Sequence, residues 1–223
     1  MPAFFGRREG DRVVIEGGDA LHLARSLRAR PGEEIDVVDP RGYMLTVRLD
    51  SVTAERVEGS VASERKHQPE PAAQITIAIA NLPAPALELV LSRCTEAGAY
   101  AFVVFQAERS VARGEKLERW ATICREAAML AARLRVPEVS AASSLDAVIG
   151  AEDYPVMLVR DAPRRLADMG APRDLTMLIG PEGGWTERER EAASVTASLG
   201  PRNLRADTAA VVGLAIALAL RSG

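Results

Sequence analysis

Residues 178–185 read Leu-Ile-Gly-Pro-Glu-Gly-Gly-Trp, and residues 199–209 read Leu-Gly-Pro-Arg-Asn-Leu-Arg-Ala-Asp-Thr-Ala. Each stretch starts as the end of an apolar strand, turns through Gly-Pro, and runs into residues with helical spacing. Paired glycines permit positive φ and let a ligand approach the backbone closely. In a parallel sheet, ligands bind outside the carboxyl ends of the strands. Taken alone, the first loop is an ordinary glycine turn before a helix. A second glycine-proline loop, again between strand and helix, shifts the reading toward a ligand site. What the loops lack narrows the ligand. A Walker loop needs Lys-Ser or Lys-Thr after its second glycine, where Trp185-Thr186 stand here. No GxGxxG follows a strand, which argues against a classical dinucleotide fold.

Outward from these loops, strands and helices alternate. Ile75–Ala80, Ala101–Phe105, residues 156–159 and Leu175–Ile179 are apolar runs that suit strands buried on both faces, and residues 195–199 form a candidate last strand. Helical spacing runs over residues 87–97, with Leu87, Val90, Leu91 and Cys94 inward and Gly98 as the stop. Further helices are expected over residues 116–134, ended by Pro137, and over 187–193 and 208–220. Such alternation predicts an open, largely parallel α/β sheet.

Upstream the pattern differs. Short alternating segments at 12–15, 35–38 and 44–49 are separated by Pro31-Gly32 and Pro40-Arg41-Gly42, which supply turns. A single short helix over residues 20–30 carries Arg25, Arg28 and Arg30, and a spacing of three puts the first two on one helical face. The prediction is a small β-barrel with one basic helix, whose basic face is either solvated or a nucleic-acid contact. Residues 64–71, Glu-Arg-Lys-His-Gln-Pro-Glu-Pro, read as a linker, placing one domain at 1–68 and another at 72–223.

The 223 residues are 48% hydrophobic and 26% charged, the balance of an ordinary globular protein. Residues 1–10 carry charge and glycine where a signal peptide needs an apolar core. The apolar run 209–220, closed by Arg221, falls short of the roughly 20 residues a membrane span requires. A cytoplasmic protein without membrane contact is expected. Cys94 and Cys124 form no CxxC and have no neighbouring histidine, and His22 and His67 are isolated, so no metal site is expected. A net charge of −3 does not advertise a nucleic-acid binder. Of the 28 basic side chains, however, only Lys66 and Lys116 are lysines, and the planar fork of arginine suits phosphate.

The two loops, in this order and spacing, resemble the RsmE family, bacterial 16S ribosomal RNA uracil-N3 methyltransferases of the SPOUT superfamily. The family's IGPEGG segment, followed by an aromatic and a hydroxyl residue, is matched by residues 179–186. Its LGPR-x-LR segment with a Thr-Ala pair is matched by Leu199, Gly200, Pro201, Arg202, Leu204, Arg205, Thr208 and Ala209. Glu96, Gly98, Arg109-Ser110, Glu126-Ala127-Ala128, Arg133 and Val136-Pro137-Glu138 extend the match, and residues 22–32 are similar to the family's PUA-like domain. The resemblance implies a SPOUT-type trefoil knot, a mainly parallel sheet with flanking helices behind a PUA-like β-barrel, and a homodimer. It implies that S-adenosyl-L-methionine binds at Leu178, Ile179, Gly180, Pro181, Gly183, Gly184, Leu199, Gly200, Leu204, Thr208 and Ala209. Arg205, Arg202 and Arg109 would be catalytic. Arg25, Arg28, Arg30 and Arg133 would meet the 16S rRNA of the small ribosomal subunit.

Some positions depart from the family pattern. Leu82-Pro83-Ala84-Pro85-Ala86 replaces a lysine-glycine-aspartate segment, and Arg93 replaces a lysine. Leu130 and Ala131 stand for glutamine and serine, and Ala206-Asp207 for Thr-Glu. Two other readings stay open: a different SPOUT methyltransferase, against which the PUA-like front end and the LGPR-x-LR loop argue, and a non-catalytic RNA-binding or ribosome-assembly protein, which the changes at Ala84, Leu130 and Ala206 keep open. Uracil N3 must lose a proton, leaving charge on two carbonyl oxygens that a guanidinium stabilises. Glu182 and Asp207 are the nearest candidate bases, with helix capping the better reading for Asp207.

Overall fold

The computed structural model describes residues 2–169 and 174–220. The chain folds as two compact units, Met1–Glu70 with Ala128–Val136, and Pro71–Ala127 with Pro137–Gly223.

The first unit holds β1 (Phe4–Phe5), β2 (Arg7–Glu9), β3 (Arg12–Glu16), α1 (Gly18–Leu21), β4 (Glu34–Asp39), β5 (Tyr43–Val52) and β6 (Arg56–Lys66). They form one mixed sheet in the order β1-β4-β5-β6-β3-β2, parallel only between β1 and β4. Register shifts at Thr46/Val47 and Leu49/Ser51 help the long β5–β6 pair to curl. Every second residue points inward, so Val13, Ile15, Ile35, Val37, Leu45, Val47 and Leu49 meet Phe4, Leu23 and Met129 in one core. Residues 128–136 are bound to the rest of this unit through Met129 O, which accepts from Ala3 N at 2.9 Å, and Ala132 O, 2.6 Å from His67 Nε2.

The second unit holds β7 (Ile75–Ala80), α2 (Ala84–Ala97), β8 (Ala101–Phe105), all of α3 (Leu117–Leu130) but its last three residues, which belong to the first unit, β9 (Glu138–Ala142), α4 (Leu145–Ala151), β10 (Pro155–Leu158), β11 (Leu175–Ile179), α5 (Glu187–Ala192), β12 (Thr196–Ala197) and α6 (Ala206–Ala219). Strand order is β12-β10-β11-β7-β8-β9, and every pairing is parallel. The α/β sheet expected from the alternation is therefore present. Central β7 and β11 run in register from Ile75↔Leu175 to Ile79↔Ile179, and their buried side chains explain the unbroken apolar runs. Gly98 ends α2 in the left-handed conformation. The carboxy-terminal α6 packs against α2, β7 and β11.

Local differences have local causes. The helix expected over 20–30 is α1 followed by a π-helical turn at His22–Ser26, and Arg28 has φ 52. Ala29 N closes the turn onto Leu23 O, whose side chain is buried, so Arg25 and Arg28 do not share a helical face. The helix expected to reach 134 ends at Leu130, with Ala132 at φ 52 and Arg133 N donating to Ala128 O. Residues 64–66 of the expected linker belong to β6, whose exposed end is charged.

Candidate functional site

The carboxyl ends of β10, β11 and β12 lie side by side, because β10 pairs with both of the others. Above them opens a cavity of about 380 Å³. Its walls are residues 179–185 after β11, residues 199, 200, 202, 203, 204, 206 and 209 around the second glycine-proline loop, residues 158–161 after β10, and Arg190 of α5.

The first loop is shaped by its tryptophan. A Cβ on Gly180 would lie 2.8 Å from Cε2 of Trp185, so only glycine lets the indole close over the strand end. The indole N–H donates to Leu158 O at 3.0 Å, and the ring stacks on Phe105 with centroids 6.2 Å apart. Thr186 caps α5 in a capping box with Glu189, whose carboxylate accepts from Thr186 N at 2.9 Å. The same buried carboxylate accepts from Glu108 N at 3.0 Å, tying the loop after β8 to the loop after β11. Arg188 bridges Glu108 and Asp146. Its guanidinium, helped by the Thr186 hydroxyl, holds the Glu108 carboxyl below its ordinary range.

Most residues expected to hold the donor converge here. Ile179, Gly180, Pro181, Gly183, Gly184, Leu199, Gly200, Leu204 and Ala209 all line the cavity. Leu178 does not; it is fully buried in the core beneath. Thr208 is exposed and turns its hydroxyl to Asp207 at 3.1 Å. Asp207 also accepts from Thr208 N at 2.6 Å, in the first turn of α6, where a carboxylate suits the helix dipole. Glu182 lines the cavity.

The arginines separate. Arg202 lines the cavity and Arg205 is the N-cap residue of α6; neither guanidinium has a hydrogen bond or ion pair among the described residues. Arg109 does not line the cavity, and its Nη1 donates to Gly183 O at 3.1 Å and Trp185 O at 3.3 Å. Glu96 is paired with Arg93. Arg25, Arg28 and Arg30 are exposed. Arg133 is not on a face open to RNA: it is 4% exposed, with its guanidinium forked onto Glu70 at 2.6 to 3.3 Å. That pairing spans 63 positions, so nothing in the local sequence announces it.

Sequence reasoning missed the third wall, residues 158–161 and Arg190. The signal was positional: β10 also ends at this edge of the sheet, but residues 159–165 that follow it contain no glycine. Arg190 donates to Asp161 at 3.1 Å and holds that carboxyl below its ordinary range. The cavity lining thus includes apolar Leu158, Val159, Ile179 and Leu204, and charges of both signs in Arg160, Asp161, Glu182 and Arg202. Gly184 and Gly200 have positive φ, and no atom lies within 4 Å of where a Cβ would stand on either, so backbone is open to a ligand. These features fit a flat heterocycle bearing a zwitterionic tail. Among the described residues no His/Cys/Asp/Glu group could hold a metal, and no helix is long and apolar enough to cross a membrane.

Residues 68–218 match the model of an RNA methyltransferase domain. The chain is 30% identical over 228 residues to ribosomal RNA small subunit methyltransferase E of Bacillus subtilis (strain 168), covering 92% of this chain and 89% of that protein. To the protein of the same name from Synechocystis sp. it is 34% identical over 221 residues, covering 91% and 71%. The crystal structure of ribosomal RNA small subunit methyltransferase E from Neisseria gonorrhoeae, bound to S-adenosyl methionine, superposes with a TM-score of 0.88 at 25% identity, covering 99% of this chain and 98% of that one.

Proposed function

The chain belongs to the RNA methyltransferase family that includes ribosomal RNA small subunit methyltransferase E, and from that premise we propose that it methylates N3 of a uracil in the 16S rRNA of the small ribosomal subunit. Its activity is S-adenosylmethionine-dependent methylation of ribosomal RNA. The observation that carries the reading is the convergence of both glycine-proline loops on one cavity at the sheet's carboxyl edge.

When bound, S-adenosyl-L-methionine supplies an electrophilic methyl carbon on a sulfonium. Ile179 and Leu204 would pack its heterocycle, and backbone around Gly180, Gly183, Gly184, Leu199 and Gly200 would meet its polar edges. Glu182 is the carboxylate available to its positive charge, with Asp161, already paired with Arg190, beside it. Holding donor and base in line supplies much of the rate of such a displacement. Arg202 at the cavity and Arg205 beside it are the guanidiniums free to stabilise charge on the uracil oxygens. Of the two candidate bases, Glu182 lies at the cavity, while Asp207 is committed to Thr208.

The same reading makes residues 72–223 a SPOUT-type trefoil-knotted domain. Its support is the chain's course from β12, beyond β10, back to α6 against β7 and β11. Residues 1–68 would be a PUA-like β-barrel that docks RNA, supported by the curled mixed sheet and by exposed Arg25, Arg28 and Arg30. A homodimer is supported by α6, whose partly or fully exposed residues Val211, Ala215 and Ile216 are apolar, as is exposed Leu220 just after it. The protein would work in the cytoplasm, where its RNA is.

The test is incubation with labelled donor and small subunits purified from cells lacking this gene, followed by mass spectrometry of the nucleosides. 3-Methyluridine in 16S rRNA is expected. A methylated ribose, another base or no label would overturn the proposal, the last favouring a non-catalytic RNA-binding protein.

A further inference from the structure

We propose that Arg109 is a positioning residue for the donor loop: from outside the cavity it locks the peptide planes on either side of Gly184-Trp185, leaving that one peptide group free to bind the donor. The inference rests on the donor-cavity reading above.

Four contacts fix the two flanking planes. In the Gly183–Gly184 peptide, the carbonyl accepts from Arg109 Nη1 at 3.1 Å and the N–H donates to Pro181 O at 2.9 Å. In the Trp185–Thr186 peptide, the carbonyl accepts from the same Nη1 at 3.3 Å and the N–H donates to Glu189 Oε2 at 2.9 Å. A peptide is rigid and planar, so anchoring both its oxygen and its N–H fixes its orientation. Between them, Gly184 O and Trp185 N–H make no hydrogen bond among the described residues, and both residues line the cavity. An unpaired donor and acceptor on one rigid group is what a heterocycle edge or a ribose hydroxyl needs, and orienting it beforehand spares that cost on binding.

The arginine stem is fitted to this task. A Cβ on Gly183 would lie 3.2 Å from Arg109 Cβ and 3.7 Å from its Cδ, so the aliphatic stem lies against the bare α-carbon. The backbone under Arg109 is itself held, since Glu108 N donates to the buried Glu189. One guanidinium therefore joins the loop after β8 to the loop after β11 without reaching the cavity.

The experiment compares full-length wild type, Arg109→Ala and Arg109→Lys. Calorimetric Kd values for S-adenosylmethionine and S-adenosylhomocysteine are set beside kcat and donor KM on small subunits, with circular dichroism to verify folding. Arg109→Ala is expected to raise Kd and donor KM together by roughly tenfold or more, the loss of about one charge-assisted hydrogen bond. Turnover at saturating donor should fall less than about threefold. Arg109→Lys, which keeps the cation on a shorter stem, should restore part of the affinity. If Kd is unchanged while kcat drops by about a hundredfold, Arg109 acts on the substrate and the proposal is wrong. Unchanged Kd and unchanged kcat overturn it as well. A folded wild type that binds neither ligand would instead remove the donor-cavity reading on which the proposal stands.

Discussion

Gly180 and Trp185 are in van der Waals contact through a missing side chain: the indole occupies the volume a Cβ at residue 180 would need, 2.8 Å from Cε2. Because that indole also bonds Leu158 O, any displacement moves the wall that β10 contributes to the cavity. Gly180→Ala is therefore expected to cost about 1–3 kcal/mol of overpacking. In a chain of this length that lowers Tm by about 2–4 °C per kcal/mol. Calorimetric affinity for S-adenosylmethionine should fall in the same variant. A variant with wild-type Tm and wild-type Kd would show that the indole is not held by residue 180.

Asp39 gives the first unit an acid-sensitive contact. Its carboxylate, 3% exposed, accepts from Arg41 Nε at 3.0 Å and Nη2 at 2.6 Å across the turn between β4 and β5. Arg41's hydrogen bond holds the carboxyl below its ordinary 3.8, against the opposing effect of burial. A carboxyl depressed on folding stabilises the native state above its unfolded pKa, and that contribution disappears as pH falls through the folded value. Melting temperature should therefore drop as pH falls from about 4 downward. Asp39→Asn should be less stable at pH 6 and flatter over the acid range. Parallel wild-type and Asn curves would refute the assignment.

The legible parts of this protein are those whose environment is the same on both sides. β7, β8 and β11 are buried on two faces, so their apolar runs are unbroken and readable. Edge strand β9 is half-buried along most of its length, and α4 spans only Leu145–Ala151; neither leaves a pattern. The exposed end of β6 resembles a linker because a strand's solvent end and a loop favour the same residues. In the cavity, the glycine-proline loops are visible because their chemistry needs particular residue types. Residues 158–161 contribute through position alone, and position follows from sheet order, which short-range pattern does not encode.

Arg133 illustrates the same boundary, and its burial makes a prediction. Its guanidinium lies against Glu70, whose Oε1 also accepts from Leu134 N at 2.9 Å. Removing one partner of a buried pair strands the other, at a cost of about 3–5 kcal/mol. Glu70 retains some solvent contact, so the lower end is expected for Arg133→Ala. The variant should melt earlier in differential scanning calorimetry. Below its melting temperature it should bind small-subunit RNA with the wild-type salt dependence. A reduced salt slope with unchanged Tm would instead return Arg133 to the RNA-facing set.

A substitution at Arg205 tests catalysis apart from donor binding. Its backbone lies at the N-cap of α6, where its carbonyl accepts from Ala209 N at 2.8 Å, while its guanidinium has no partner among the described residues. Truncating the side chain therefore removes a free cation beside the cavity without disturbing the backbone of the second glycine-proline loop. If that cation stabilises charge on the uracil oxygens, Arg205→Ala should lower turnover by about two to three orders of magnitude at saturating donor. The Kd for S-adenosylmethionine should stay within about twofold, because Leu204, Ala206 and Ala209 still line the cavity. Arg202→Ala, which alters the cavity wall itself, should change both quantities. If Arg205→Ala weakens donor binding while saturated turnover survives, the cation belongs to the donor's carboxylate, and charge stabilisation on the uracil must come from Arg202 instead.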